Sequence, residues 1–211
     1  MRQGKFEADR NREQLQNDTA MLQPGNREKN VLLYLHDLVY LLGGILLVML
    51  LCFRVVIVSG SSMKDTLVDG DYLLLLSSAV YGQPQCGDII VASKESFDNG
   101  EPIIKRVIAT EGQIVDIDFS TGVVYVDNVP LQESYVKTST TLDEGTQFPL
   151  EVEKGCIFVL GDNRNRSQDS RSPLIGQIDT REILGKAILL FLPGTEKGEI
   201  PRDFGRIGVL P

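Results

Sequence analysis

Ser62 and Lys105 are the two residues whose types and surroundings could support nucleophilic chemistry. Ser62 lies in Val58-Ser59-Gly60-Ser61-Ser62-Met63-Lys64-Asp65-Thr66-Leu67. Small residues around a serine let another backbone approach closely and leave main-chain N–H groups free to face a developing oxyanion. Lys105 lies in Glu101-Pro102-Ile103-Ile104-Lys105-Arg106-Val107-Ile108-Ala109. Read as a strand, this segment puts Ile103, Lys105, Val107 and Ala109 on one face and Ile104, Arg106 and Ile108 on the other. Each face is then apolar with one cation in it. An amine on an apolar face is desolvated, which favours its neutral form. A neutral amine can take the proton of a serine hydroxyl. A third segment, 161–171, is dense in Asp, Asn, Ser and Arg and follows an apolar run. Asp169 with Arg171, or Asp162 with Arg171, could pair there and brace a loop. Taken singly, each segment also reads as ordinary structure: a linker, a solvated strand face and a polar turn. The chain's one histidine is His36, so residues 59–211 contain none. That excludes a Ser-His-Asp or Cys-His arrangement from this part of the chain and argues against zinc hydrolysis. Serine–lysine chemistry calls for no metal and no cofactor.

The elements that must position these residues are legible in outline. Residues 38–53 carry no charge, Arg54 interrupts, and Val55-Val56-Ile57-Val58 continue. The stretch 38–58 is long enough to cross a bilayer core as a helix, and Arg54 can snorkel to the headgroups. Six Lys/Arg precede the run, which places the N-terminus in the cytoplasm and residues 59–211 outside. The expected organisation is a flexible cytoplasmic tail over 1–30, a membrane-spanning anchor over 31–58, and an extracytoplasmic domain over 59–211. That domain reads as mainly β. Short Val/Ile-rich runs at 72–76, 88–92, 102–109, 114–119, 123–126 and 156–160 are separated by Gly and Asn/Asp turn signals. A short helix capped by Asp or Thr is expected near 179–183, and 194–211 reads as a surface tail. Residues 59–211 carry fourteen Lys/Arg against 23 Asp/Glu, and so acidic a domain repels nucleic acid. Cys52, Cys86 and Cys156 read as small buried hydrophobes, with a Cys86–Cys156 bridge as the alternative.

Taken together, the segments resemble the type I signal peptidases, membrane-bound Ser/Lys proteases that remove secretory signal peptides. That family shows a Ser-Met-x-Pro-Thr-Leu box after its anchor, then Gly-Asp-Ile/Val, Lys-Arg-Val, and Gly-Asp-Asn-Arg-x-x-Ser-x-Asp-Ser-Arg. Here the same order runs Ser62-Met63-Lys64-Asp65-Thr66-Leu67, Gly87-Asp88-Ile89, Lys105-Arg106-Val107 and 161–171, the last matching at every defined position. The resemblance implies an antiparallel β-sheet catalytic domain with a β-rich insertion, about 113–155, behind one N-terminal transmembrane helix. It implies Ser62 as nucleophile, Lys105 as general base, and Ser167 hydrogen-bonded to the lysine amine. Asp162, Asp169 and Arg171 would brace the site, and the Ser62 N–H would form one side of an oxyanion hole. Gly60 stands where some members carry a serine hydroxyl, so the chain resembles the Gram-positive branch. Shallow pockets accepting Ala-x-Ala sequences would be lined by Val58, Gly60, Met63, Leu67, Ile103 and Ile104. The implied partners are secretory preproteins and the lipid bilayer, with the chain a monomer. Asp65 departs from the family's Pro, and Ala109-Thr110-Glu111-Gly112 from its Gly-x-Pro-Gly. Two other readings are a different Ser/Lys protease, either a self-cleaving repressor type, which the anchor argues against, or a specialised maturation peptidase, and a non-enzymatic assembly factor. The latter would be expected to lack the serine or the lysine, and both are present.

Overall fold

A computed structural model describes residues 12, 24–94, 97, 100–195 and 202–211. Most of the expected 1–30 tail lies outside the described residues; residues 24–30 belong to a helix. This helix, α1, runs Pro24–Cys52. Its apolar part, Lys29–Cys52, has 24 residues, none of them buried in the protein. At 1.5 Å per residue it is about 36 Å long, enough to cross a hydrocarbon core. The helix stops six residues before the expected end at Val58. Phe53–Ile57 instead form strand β1, where the β-branched Val55, Val56 and Ile57 pair antiparallel with Tyr72–Leu73–Leu74. Branched side chains suit a pleated surface better than a helix, and a cross-strand partner is available.

Beyond β1, the regular elements among the described residues are strands and short 3-10 turns. Strands β2 (Tyr72–Ser77), β3 (Ile89–Ser93), β4 (Pro102–Thr110), β5 (Ile114–Asp118), β6 (Val123–Val126) and β9 (Cys156–Leu160) fall on the expected apolar runs. Between them lie β7 (Val129–Pro130) and β8 (Leu150–Glu151), and after them β10 (Ile178–Asp179), β11 (Ile183–Leu192) and β12 (Gly208–Val209). An eight-stranded antiparallel sheet has the order β1-β2-β11-β3-β4-β9-β10, with β12 added beside β11. A four-stranded sheet, β7-β6-β5-β8, is built wholly from residues between 113 and 155.

Two apolar clusters fill the two faces of the large sheet. One gathers Val58, Met63, Leu67, Leu73, Leu75, Ile89, Val91, Ile104, Ala187 and Leu190. The other gathers Ile90, Ala92, Val107, Ile157, Val159, Ile175, Ile178 and Ile183. Alternation along β3 and β4 sends successive side chains to opposite clusters. A third cluster, including Ile108, Val115, Val124, Val126 and Phe158, joins β4 and β9 to the small sheet. The expected short helix is a 3-10 turn, Thr180–Glu182, with Asp179 closing a capping box. The C-terminus is not a loose surface tail. Beyond 196–201, which lie outside the described residues, β12 pairs with β11 and Arg206 pairs with Asp71. The three cysteines are free thiols, and none is buried: Cys86 is exposed, and Cys52 and Cys156 are half-buried.

Candidate active site

The chain between β1 and β2 carries Ser62. Its two ends are tied by Val58 N–H to Asp71 C=O and Gly70 N–H to Val58 C=O. Within it, Leu67 N–H donates to Met63 C=O, and Gly60 N–H donates to the Asp69 carboxylate at 2.9 Å. Gly60 sits at φ +90° and Asp65 at φ +86°. Left-handed backbone is closed to proline, whose ring fixes φ near −65°, so a proline would not fit this chain's turn at position 65. Asp65 faces Lys137 at 2.9 Å.

Lys105 reaches this loop from β4, where its register partner is Ile90. Its Nζ is 2.8 Å from Ser62 Oγ. The side chain is buried, with only 4% of the residue exposed. Burial pushes the amine down from the ordinary lysine range to about 8, against the pull of the Asp169 and Glu144 carboxylates. A lysine at that value is about one-tenth neutral at pH 7. In the charged form the amine donates to Ser62 Oγ; in the neutral form the same separation lets the Ser62 hydroxyl donate to Nζ.

Three fully buried arginines hold the surrounding loops. Arg106, next to Lys105 but on the opposite strand face, makes a fork to Asp162 at 2.8 and 2.7 Å. It also donates to Gly87 C=O and lies 3.9 Å over the Tyr135 ring. Asp162 in turn accepts from Thr66 Oγ1 at 2.6 Å, so one carboxylate ties the 161–171 loop both to β4 and to the Ser62 loop. Arg171 forks onto Asp169 at 2.8 and 2.9 Å and caps Leu142 C=O, Arg164 C=O and Ser167 C=O. Asp169 also accepts the Gly161 N–H. Of the two pairings open at sequence level, Asp169–Arg171 is the one formed, and Asp162 belongs to Arg106. Arg164 forks onto Glu133 at 2.8 and 2.6 Å. Each charge is buried with an opposite charge and further hydrogen bonds, the condition under which buried ions are tolerated.

The 161–171 loop lies directly against the serine. Asn163 N–H donates to Ser62 C=O at 3.0 Å, and the Asn163 side chain donates to Ser61 C=O at 2.9 Å. Gly161 has no room for a side chain: a Cβ there would meet Ser167 Oγ at 2.1 Å and Ser62 O at 2.6 Å. Ser167 is buried beside Gly161, yet its hydroxyl has no hydrogen-bond partner among the described residues. The expected bond from Ser167 to the lysine amine is therefore not made; the amine bonds Ser62 instead.

Val58, Met63, Leu67 and Ile104 all belong to the core beneath the Ser62 loop. Leu67 has no exposed surface, so it supports the loop from below and is not a pocket wall. Gly60 is exposed and Ile103 half-buried. Sequence reasoning passed over Thr66, Arg106, Arg164, Glu133, Tyr135 and Glu144. Arg106 carried a signal, a second cation on an apolar strand. The residues of the long β7–β8 connection carried none, because no periodicity marks them.

The family model described as "Signal peptidase, peptidase S26" matches residues 31–192. Similar proteins include a probable signal peptidase I-1 of Synechocystis sp., 37% identical over 153 residues, covering 68% of this chain and 73% of that protein. A signal peptidase I of Bacillus licheniformis is 31% identical over 159 residues, covering 72% and 83%. Signal peptidase I T of Bacillus subtilis is 33% identical over 152 residues, covering 68% and 76%. A mainly antiparallel β-sheet chain behind an apolar N-terminal helix, matched over these lengths, belongs to the signal peptidase family S26 and is a serine peptidase.

Proposed function

We propose that this protein removes N-terminal signal peptides from secretory preproteins, with Ser62 as nucleophile and Lys105 as general base. The observation that carries the reading is the 2.8 Å contact between Ser62 Oγ and a lysine amine buried enough to be partly neutral near physiological pH. Lys105 Nζ takes the hydroxyl proton as Ser62 Oγ attacks the scissile carbonyl. The oxyanion is met by the Ser62 N–H. Collapse breaks the C–N bond, and the lysine ammonium gives its proton to the leaving amine. A water then passes its proton to Lys105 and attacks the acyl ester; Ser62 leaves with that proton as the carboxylate is released.

Asp162, Asp169 and Arg171 brace the reacting pair, and Gly161 and Ser167 set the close approach of the two loops. The half-buried Ile103 and exposed Gly60, with the edges of Val58, Met63 and Ile104, form shallow pockets suited to Ala-x-Ala sequences. The substrate lies extended beside β4. The apolar helix holds a monomer in the bilayer, and the six Lys/Arg before the run place the N-terminus in the cytoplasm and residues 59–211 outside.

The test is incubation of the detergent-solubilised full chain with a preprotein bearing an Ala-x-Ala site. Mature-sized product from the native protein, and none from Ser62→Ala or Lys105→Ala, is the expected result. Normal cleavage by either variant refutes the assignment.

A further inference from the structure

The Ser62 loop is held from a second side by residues that lie beyond the matched stretch, which ends at residue 192. Asp71 closes the loop where β2 begins. Its carboxylate is wholly buried and accepts four hydrogen bonds. Val68 N–H, within the loop, donates at 2.8 Å, and Gly194 N–H at 2.6 Å. Arg206 supplies a planar fork at 2.9 and 2.6 Å and reaches on toward Thr66 C=O at 3.4 Å. Thr66 is the residue whose hydroxyl binds Asp162 on the opposite side. Gly194 packs so tightly that a Cβ there would lie 2.3 Å from Asp69 O and 2.5 Å from the Gly70 carbonyl carbon.

The loop is thus clamped between two arginine–carboxylate forks. Arg106–Asp162 holds it from the β4 side, and Arg206–Asp71 from the C-terminal segment. Neither arginine touches Ser62, but the loop backbone between the clamps carries its Oγ to Lys105. A fork is the right device here because two parallel N–H···O bonds fix orientation as well as distance. A misplacement of the nucleophile by an ångström weakens a near-attack geometry far more than it weakens substrate binding.

We infer that Arg206 is a positioning residue for the reaction, acting through Asp71 to fix the Ser62 loop, so that the C-terminal segment is part of the catalytic apparatus. The inference rests on the reading of Ser62 as nucleophile.

The test measures kcat and KM of the full-length protein in detergent on a peptide spanning an Ala-x-Ala site. Arg206→Ala lowers kcat by about a hundredfold with KM close to native. Arg206→Lys falls between, since an ammonium restores charge without the fork. A native kcat in Arg206→Ala, or a loss confined to KM, overturns the inference. Should Arg206→Ala fail to fold, the pair Asp71→Asn with Arg206→Met decides, because it removes both charges together and leaves no unpaired buried carboxylate. Low kcat in that pair, with a melting temperature near native, is expected; native kcat overturns the inference. Ser62→Ala serves as the separate control: cleavage by that variant would remove the nucleophile assignment itself, whatever the Arg206 variants do.

Discussion

Replacing Lys105 by Met should make the protein more stable while abolishing catalysis. Methionine keeps the length and most of the volume of the buried side chain and removes the amine. In the folded protein the amine sits at about 8, well below the ordinary lysine value of 10.5. Each unit is about 1.4 kcal/mol, so below pH 8 the folded state carries a penalty of about 3 kcal/mol for holding this group charged. The lost hydrogen bond to Ser62 offsets about 1 kcal/mol of the gain, leaving about 2 kcal/mol in favour of the variant at pH 7. The pH dependence follows from which state binds more protons. Between pH 8 and 10.5 the unfolded lysine is protonated and the folded one is not, so native stability rises with pH across that window. The advantage of Lys105→Met is therefore full below pH 8 and shrinks toward pH 10.5. Thermal unfolding of both full-length proteins in the same detergent, at intervals from pH 6 to 10.5, measures it. A variant no more stable than native at pH 7, or a difference that does not change across the window, would show that Lys105 is not desolvated and refute the reasoning.

Other substitutions probe the frame around the dyad. Gly161→Ala drives a methyl into Ser167 and the Ser62 carbonyl; cleavage should drop by about a hundredfold through misplacement of Ser62, as steady-state kinetics will show. Arg106→Ala leaves the Asp162 carboxylate buried without its fork and should cost about 3–5 kcal/mol in chemical denaturation, whereas Arg106→Met combined with Asp162→Leu should recover much of it. Lys137→Ala removes an ion pair whose lysine side chain is 71% exposed, and both melting temperature and cleavage should stay near native, because exposed pairs contribute at most about 1 kcal/mol.

The sheet was partly legible because a strand buried on both faces reads as a short apolar run, and a strand buried on one face alternates apolar with polar. Strands β3 and β9 are of the first kind, and β5, with Val115, Asp116, Ile117 and Asp118 in turn, is of the second. The long strand β11 did not announce itself: Gly185 and Lys186 break its apolar run, and register shifts after Ala187 and Leu190 disturb its alternation. It nevertheless lies inside the sheet, between β2 and β3. The junction of α1 and β1 was also hidden, since the break at Arg54 reads equally as a residue snorkelling from the end of a spanning helix. For the site, residue type pointed to Ser62 and Lys105, which the fold brings within 2.8 Å, and to Asp162, Asp169 and Arg171. Partner choice was not readable, because it depends on a loop 31 residues away in sequence, as with Glu133 and Arg164, or on the C-terminal segment, as with Arg206 and Asp71.

The central claim is that a buried, partly neutral Lys105 activates Ser62. It is tested most directly by the rate at which a small serine-acylating probe modifies the full-length protein as pH is varied, with the modified residue located by mass spectrometry. Modification should fall on Ser62 and rise with pH as a single group titrates near 8, then level off. In Lys105→Met it should be lost. Modification at another residue, or a rate on Ser62 that is unchanged by Lys105→Met, would contradict the claim.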